Sequence, residues 1–382
     1  MRIMRNFRFL AVLLCLMSCY LSAARKTGLY VPEMGKRVNP EMEVIQKEQR
    51  DGYECRLIEF SVDASERIRA YLLVPEKATK QNRVPGVVML HDHGARFDIG
   101  KEKLVKPISK ALPGGADDHI MKSSAQWIDK YFDGVYLADS LASLGYAVLV
   151  ADALYWGDRS SDLTQKWSEL NYASDADPKR DKAQISKLKE DIYEGQREVY
   201  DSLMRQDIIW AEKMLRDDMI SVRLLRSLPF VDRKNVGAFG FSMGAHRCWM
   251  LSAFCKDVKC GVALSWITTL DNYERDHASD LSMRIQPMRD QMDFGDIGLF
   301  LAPKPMLFLN GDRDHLFSKQ DVETAFRKLQ GHYIEYNRAH RSRSVTSEPQ
   351  FEPLQTVFFN GGHHCGKDVQ TAIVQFLKEN LQ

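Results

Sequence analysis

Net charge is almost missing from this chain: its 53 lysines and arginines face 52 aspartates and glutamates. That balance supplies no general attraction to nucleic acid or to an anionic membrane surface, so nucleic-acid partners are not expected. Long apolar runs are missing too, since the stretch from Phe9 to Met17 is too short to span a bilayer as a helix. No unit recurs at a fixed period, which argues against solenoids and propellers. No Pro/Gly/Ser-rich linker divides the chain, which argues for a single domain over residues 25–382. Cysteine is sparse: beyond the first residues only Cys55, Cys248, Cys255, Cys260 and Cys365 remain, at spacings that match no zinc site and no disulfide framework. They read as core thiols, with Cys255 and Cys260 as the one pair near enough in sequence to form a bridge.

What is present starts with a leader. Arg2, Arg5 and Arg8 precede the Phe9–Met17 stretch, the pattern of a signal peptide. Two processing sites compete. Leu16-Met17-Ser18-Cys19 resembles a bacterial lipobox, which would leave a lipid anchor on Cys19, and Ser22-Ala23-Ala24 suits ordinary signal peptidase, giving a leader of residues 1–24. The lipobox is slightly preferred, so the expectation is an exported bacterial protein, periplasmic or held at the outer membrane, touching lipid only through that anchor.

At 382 residues and 44% apolar content the chain can bury a large core. A polar arm leads into LIEFSV and IRAYLLVP, two alternating runs separated by DASER that predict an antiparallel pair. Apolar runs then alternate with longer amphipathic segments: GVVMLHD, DSLASLG, YAVLVAD, a helical region to Leu228, VGAFGF, CGVALSW, PMLFLNG and TVFFNGG. This rhythm predicts an α/β fold, a mostly parallel central sheet with helices on both faces. Residues 156–205 turn charged, with Ile185, Leu188, Ile192 and Tyr193 near helical spacing. That segment is read as an inserted lid or rim, with a solvated surface helix as the plainer alternative.

The chemistry concentrates after the strands. In NVGAFGFSMGAHRCWMLSAF, Gly240-Phe241-Ser242-Met243-Gly244 follows a short apolar run and precedes a helical pattern. Small residues on either side of a serine at such a junction permit a strained turn that exposes the hydroxyl. Serine is a weak nucleophile and needs a histidine base oriented by a carboxylate. The chain offers Gly311-Asp312-Arg313-Asp314 after one strand and Gly361-Gly362-His363-His364 after the next. Asp314 is preferred as the acid because it can reach back over the sheet edge, whereas Asp312 suits bracing of the turn. His363 is preferred over His364 as the base.

The motif His91-Asp92-His93 closes GVVMLHDHG and invites two readings. An H-x-H pair can ligate zinc, but further ligands are lacking and the other candidates already serve the serine, so no metal and no cofactor are expected. The alternative is an oxyanion hole, for which backbone N–H groups of Met243 and His93 are the candidates, with His91 and Asp92 holding the loop.

On LHDHGARFDIGKEK, LGYAVLVADALYWGDR, LPFVDRKNVGAFGFSMGAHR, DIGLFLAPKPMLFLNGDRDHLF and GGHHCG, the chain resembles the dienelactone-hydrolase-like branch of the α/β-hydrolases from about Tyr53 onward. In particular it resembles bacterial acetyl xylan esterase-like proteins and pectin methylesterases. The resemblance implies the α/β-hydrolase fold, with Ser242 as nucleophile, Asp314 as acid, His363 as base, and Met243 and His93 as oxyanion donors. It also implies a secreted carbohydrate esterase that removes acetyl or methyl groups from a polysaccharide or oligosaccharide ester. A prolyl-oligopeptidase-like peptidase and a non-catalytic carbohydrate-binding relative are the alternatives. Arg96, Arg159 and Arg247 fall around the expected pocket, and at least one of them is expected to clamp a uronate carboxylate.

Overall fold

The computed structural model describes residues 29–32, 39–112, 114–173, 181–277, 280–340 and 353–381. The leader, its two processing sites and Cys19 lie outside these residues. Nine strands form one sheet among the described residues: β1 Met42–Arg50, β2 Tyr53–Ser61, β3 Arg67–Pro75, β4 Val84–Leu90, β5 Ala147–Ala151, β6 Val231–Phe241, β7 Gly261–Leu264, β8 Met306–Gly311 and β9 Leu354–Phe359. Their spatial order is β1-β2-β3-β5-β4-β6-β7-β8-β9. The expected opening pair is present, with β2 and β3 antiparallel from Tyr53↔Pro75 to Ser61↔Arg67. The stretch taken for a polar arm contributes β1, an antiparallel edge strand. From β5 through β4 to β9 every pairing is parallel.

The parallel strands carry apolar side chains on both faces because both faces are covered. Along β4, Val88 and Leu90 enter one core, while Val87 and Met89 enter the other. Helices α1 (Asp118–Tyr131), α2 (Leu137–Ser143), α3 (Asp162–Asn171), α4 (Lys182–Met204), α5 (Trp210–Ser227), α6 (Met243–Phe254), α7 (Leu270–Asp276), α8 (Lys319–His340) and α9 (Lys367–Leu381) complete the layers. Trp210 and Leu225 of α5 and Trp249 of α6 fill the first core. Ile128 of α1, Leu141 of α2 and Ile373 of α9 fill the second. The five cysteines are buried and unbridged. Cys255 belongs to the first core and Cys260 to the second, so the sheet separates the pair.

The described part of the charged segment forms α3 and α4. Asp181 caps α4, accepting from the N–H groups of Ala183 at 2.8 Å and Gln184 at 3.4 Å. Leu188 and Ile192 are buried, and Tyr155 donates its hydroxyl to the Ile192 carbonyl at 2.6 Å. No described helix is long and apolar enough to cross a membrane.

Candidate active site

The junction of β6 and α6 is a forced turn. Ser242 stands between them with φ 55° and ψ −125°, a conformation that costs a non-glycine residue on the order of 1–3 kcal/mol. Two glycines make it possible. A Cβ on Gly240 would lie 1.8 Å from the Gly244 carbonyl oxygen, and one on Gly244 would lie 1.9 Å from the Leu90 carbonyl oxygen. The Ser242 N–H donates to Leu264 O at 2.8 Å, which ties the turn to β7. Met243 opens α6, so its N–H has no acceptor within the helix and adds to the positive end of the helix dipole.

The loops after β8 and β9 bring an acid to a histidine. His363 Nδ1 donates to Asp314 Oδ2 at 2.8 Å, and the Leu316 N–H occupies Asp314 Oδ1 at 2.9 Å. The carboxylate is fully enclosed, and the imidazole lies against the Phe241 ring with centroids 4.9 Å apart. With Nδ1 donating, Nε2 is the nitrogen left to accept a proton. Ser242 and His363 line one cavity of about 300 Å³. Asp312 accepts instead from the Gly361 N–H at 3.0 Å, bracing the turn, and His364 Nε2 lies 3.1 Å from Asp133.

The facing wall is the loop after β4, where His93 and Met243 line the same cavity. Its shape is fixed by groups buried behind it. His91 Nδ1 donates to Asp92 O at 2.9 Å and Nε2 accepts from Ala153 N–H at 3.0 Å, so neither nitrogen is left for a metal. Burial, reinforced by the nearby Lys103 charge, pushes the His91 imidazole well below its usual pKa and keeps it neutral. Asp92 accepts from Trp127 Nε1 at 3.1 Å. Lys103, buried entirely, donates to the carbonyls of Asp92 at 2.8 Å and His93 at 2.9 Å, and Trp156 Nε1 adds a bond to His93 O at 3.0 Å. Desolvation lowers the Lys103 ammonium to about 8, although Asp92, 3.6 Å away, opposes that shift. Helix α4 docks on this loop: Lys189 Nζ donates to Ala95 O, and the Tyr193 ring meets Phe97 edge-on at 5.5 Å. One face of α4 therefore packs on the loop after β4, although no described residue of the charged segment lines the cavity.

Sequence reasoning missed Lys103, Trp127, Trp156 and Asp280. Lys103 falls inside the quoted GKEK stretch, but a lysine between charged neighbours looks like surface. The arginine expectation is corrected, because none of the three lines the cavity. Arg247 is buried and paired with Asp218 through two bonds at 3.0 and 2.7 Å. Arg159 bonds the Asp152 carbonyl at 3.1 Å and pairs with Glu66 and Asp217. Arg96 pairs with Asp98 at 3.3 Å, donates to Ser123 and Tyr172, and lies over the rings of Trp127, Trp167 and Tyr172. Each arginine is used up by a neighbouring carboxylate, because an unpaired buried guanidinium would be costly.

A mostly parallel sheet flanked by helices, with a strained serine at its central turn, defines an α/β-hydrolase. Residues 132–338, more than half of the chain, match the model of the dienelactone hydrolase family, and the protein belongs to that family of hydrolases. The provisionally named hydrolase YtaP of Bacillus subtilis (strain 168) is 23% identical over 311 residues, covering 80% of this chain and 85% of its own. A Bacteroides fragilis NCTC 9343 structure, provisionally named an acetyl xylan esterase, has a TM-score of 0.56 at 16% identity, covering 84% of this chain and 70% of its own. A glucuronoyl esterase from Solibacter usitatus has a TM-score of 0.55 at 10% identity, over 91% and 88% of the two chains. At such identities the likeness speaks to the fold.

Proposed function

We propose that this hydrolase is a serine carboxylesterase that removes small acyl groups, acetyl first among them, from plant cell-wall carbohydrate. The observation that carries this reading is the shared cavity, which holds Ser242 and His363 with the Asp314 carboxylate fixed on His363 Nδ1. Ser242 Oγ attacks the ester carbonyl while His363 Nε2 takes its proton, and Asp314 stabilises the imidazolium that forms. The N–H groups of Met243 and His93 receive the oxyanion, each worth about 2.7–4 kcal/mol in the transition state. The carbon–oxygen bond to the sugar then breaks, and the imidazolium returns its proton to the departing hydroxyl. Water attacks the acyl-serine by the same route and releases the acid.

A cavity of about 300 Å³ lies at the small end for ligand sites and suits an acyl group with part of one sugar ring. Removal of methyl groups from uronate chains was the reading that called for an arginine clamp, and with all three arginines paired, deacetylation is preferred. The leader-like start fits an exported enzyme meeting polymer outside the cell. The test is a panel of acetylated xylan, methyl-esterified polygalacturonate and p-nitrophenyl acetate, with fluorophosphonate labelling of the serine. Expected are turnover of the two acetyl esters, loss of both turnover and labelling in Ser242→Ala, and an unchanged melting temperature. Wild-type rates in Ser242→Ala would overturn the assignment.

A further inference from the structure

We propose that Asp280 is a substrate-binding residue whose carboxylate accepts a hydrogen bond from a sugar hydroxyl next to the scissile ester and disfavours uronates. This rests on the esterase reading above. Asp280 is half-buried and lines the cavity that holds Ser242, His93 and His363. Its orientation is fixed from one side only. Oδ1 accepts from the Ser282 N–H at 3.2 Å and the Ser282 hydroxyl at 2.8 Å, and its backbone carbonyl accepts from Tyr273 at 2.8 Å. Among the described residues Oδ2 takes no hydrogen bond.

Among the described residues no lysine or arginine lines the cavity to neutralise this charge. Among the described residues the other carboxylate there is Asp92, whose Oδ1 accepts from Trp127 Nε1 and whose Oδ2, buried without a hydrogen bond, has the Lys103 ammonium 3.6 Å away as counter-charge. Asp280 lines the cavity together with His93, and its charge is felt there and on α4. Burial pushes the His93 imidazole down, and the Asp280 charge is the strongest influence in the opposite direction. The same charge adds to burial in raising the Tyr193 phenol. A positioned carboxylate oxygen with no donor of its own, in a cavity that shows no lysine or arginine among the described residues, is matched by a neutral polyol that donates a hydroxyl. A substrate carboxylate at that place would meet a like charge in a partly desolvated site.

The simpler role, capping the turn Leu281–Met283 through Oδ1, predicts a different outcome. Asp280→Asn keeps an oxygen for Ser282 and replaces the free acceptor by an amide. We expect kcat/KM on acetylated xylo-oligosaccharide to fall on the order of 10- to 100-fold, mostly through KM. Rates on p-nitrophenyl acetate, which has no hydroxyl, should stay within about twofold. Relative activity on acetyl esters of uronate-bearing oligosaccharides should rise. Equal losses on both acetyl substrates, or no loss on either, would overturn the assignment while leaving the esterase reading intact. A wild-type enzyme inactive on all acetyl esters would remove that reading, and this one with it. If Asp280→Asn melts early, Asp280→Ser keeps a capping oxygen and gives the same comparison.

Discussion

The two walls of the cavity are built by different means. On the acid–base wall, Asp314 and His363 leave adjacent strands paired from Met306↔Leu354 to Gly311↔Phe359. Their loops are joined by short backbone bonds, Asp312 N–H to Phe359 O and Arg313 N–H to Gly361 O, both at 2.9 Å. On the wall proposed to receive the oxyanion, the loop carrying His93 is held from behind by Lys103, Trp156, Trp127 and His91, and from above by α4. One wall is a matter of local register, the other of buried charge and aromatic contact between distant segments. Geometry set by register leaves its signature in the chain, and geometry set by long-range burial does not.

The largest effect that can separate the walls is at Asp314. Asp314→Asn should lower kcat by about 10,000-fold, because the imidazole loses its orienting anion, with the melting temperature held within a few degrees. Asp312→Asn should cost less than about tenfold, since Gly361 N–H keeps an acceptor. Comparable losses in the two variants would erase the distinction between acid and brace.

Next comes Lys103→Met, which attacks the other wall. Asp92 would stay buried with no counter-charge, at about 3–5 kcal/mol of stability. A relaxed His93 carbonyl would carry its N–H out of line, so kcat should fall about 10- to 100-fold. Urea unfolding and steady-state kinetics check the two halves, and an unchanged kcat would mean that the loop holds its shape without the lysine.

The smallest effect is pH dependence of stability. Burial keeps the imidazoles of His91, His93 and His246 below the usual value of 6.5. Below about 6.5 the unfolded chain therefore binds protons that the folded one refuses, and stability falls as the pH drops. Each ring contributes at most about 1.4 kcal/mol per pH unit in that window. Urea midpoints between pH 7 and 5 measure the slope. His246→Phe, its ring set between Trp249 and Trp266, should remove part of the slope.

The same contrast explains what could be read beforehand. Strands β4 to β8 were legible because a sheet covered on both faces demands apolar runs, and GVVMLHD or PMLFLNG fit no solvated element, while β2 showed itself by alternation. β1 was not, because MEVIQKEQR is an edge strand with few buried positions. Ser242, Asp314 and His363 were legible because each lies a few residues beyond a strand end. The arginines misled because a sequence displays a cation without its partner: Arg247 finds Asp218 on α5, and Arg159 finds Glu66 before β3. Asp280 carried no signal, since neither strand nor motif leads into it.

Among the described residues, the strand that delivers His363 is the outermost of the parallel set, bonded on one side only, to β8. Val357 at its middle is exposed, whereas β6, which delivers Ser242, is sandwiched between β4 and β7. Local opening favours such edges over the centre of a sheet. On warming, β9 is expected to open at a lower free energy than β6, displacing His363 with it. Turnover is therefore expected to fade on warming before the serine's own turn gives way, and hydrogen exchange along the six residues of β9 read against activity checks it.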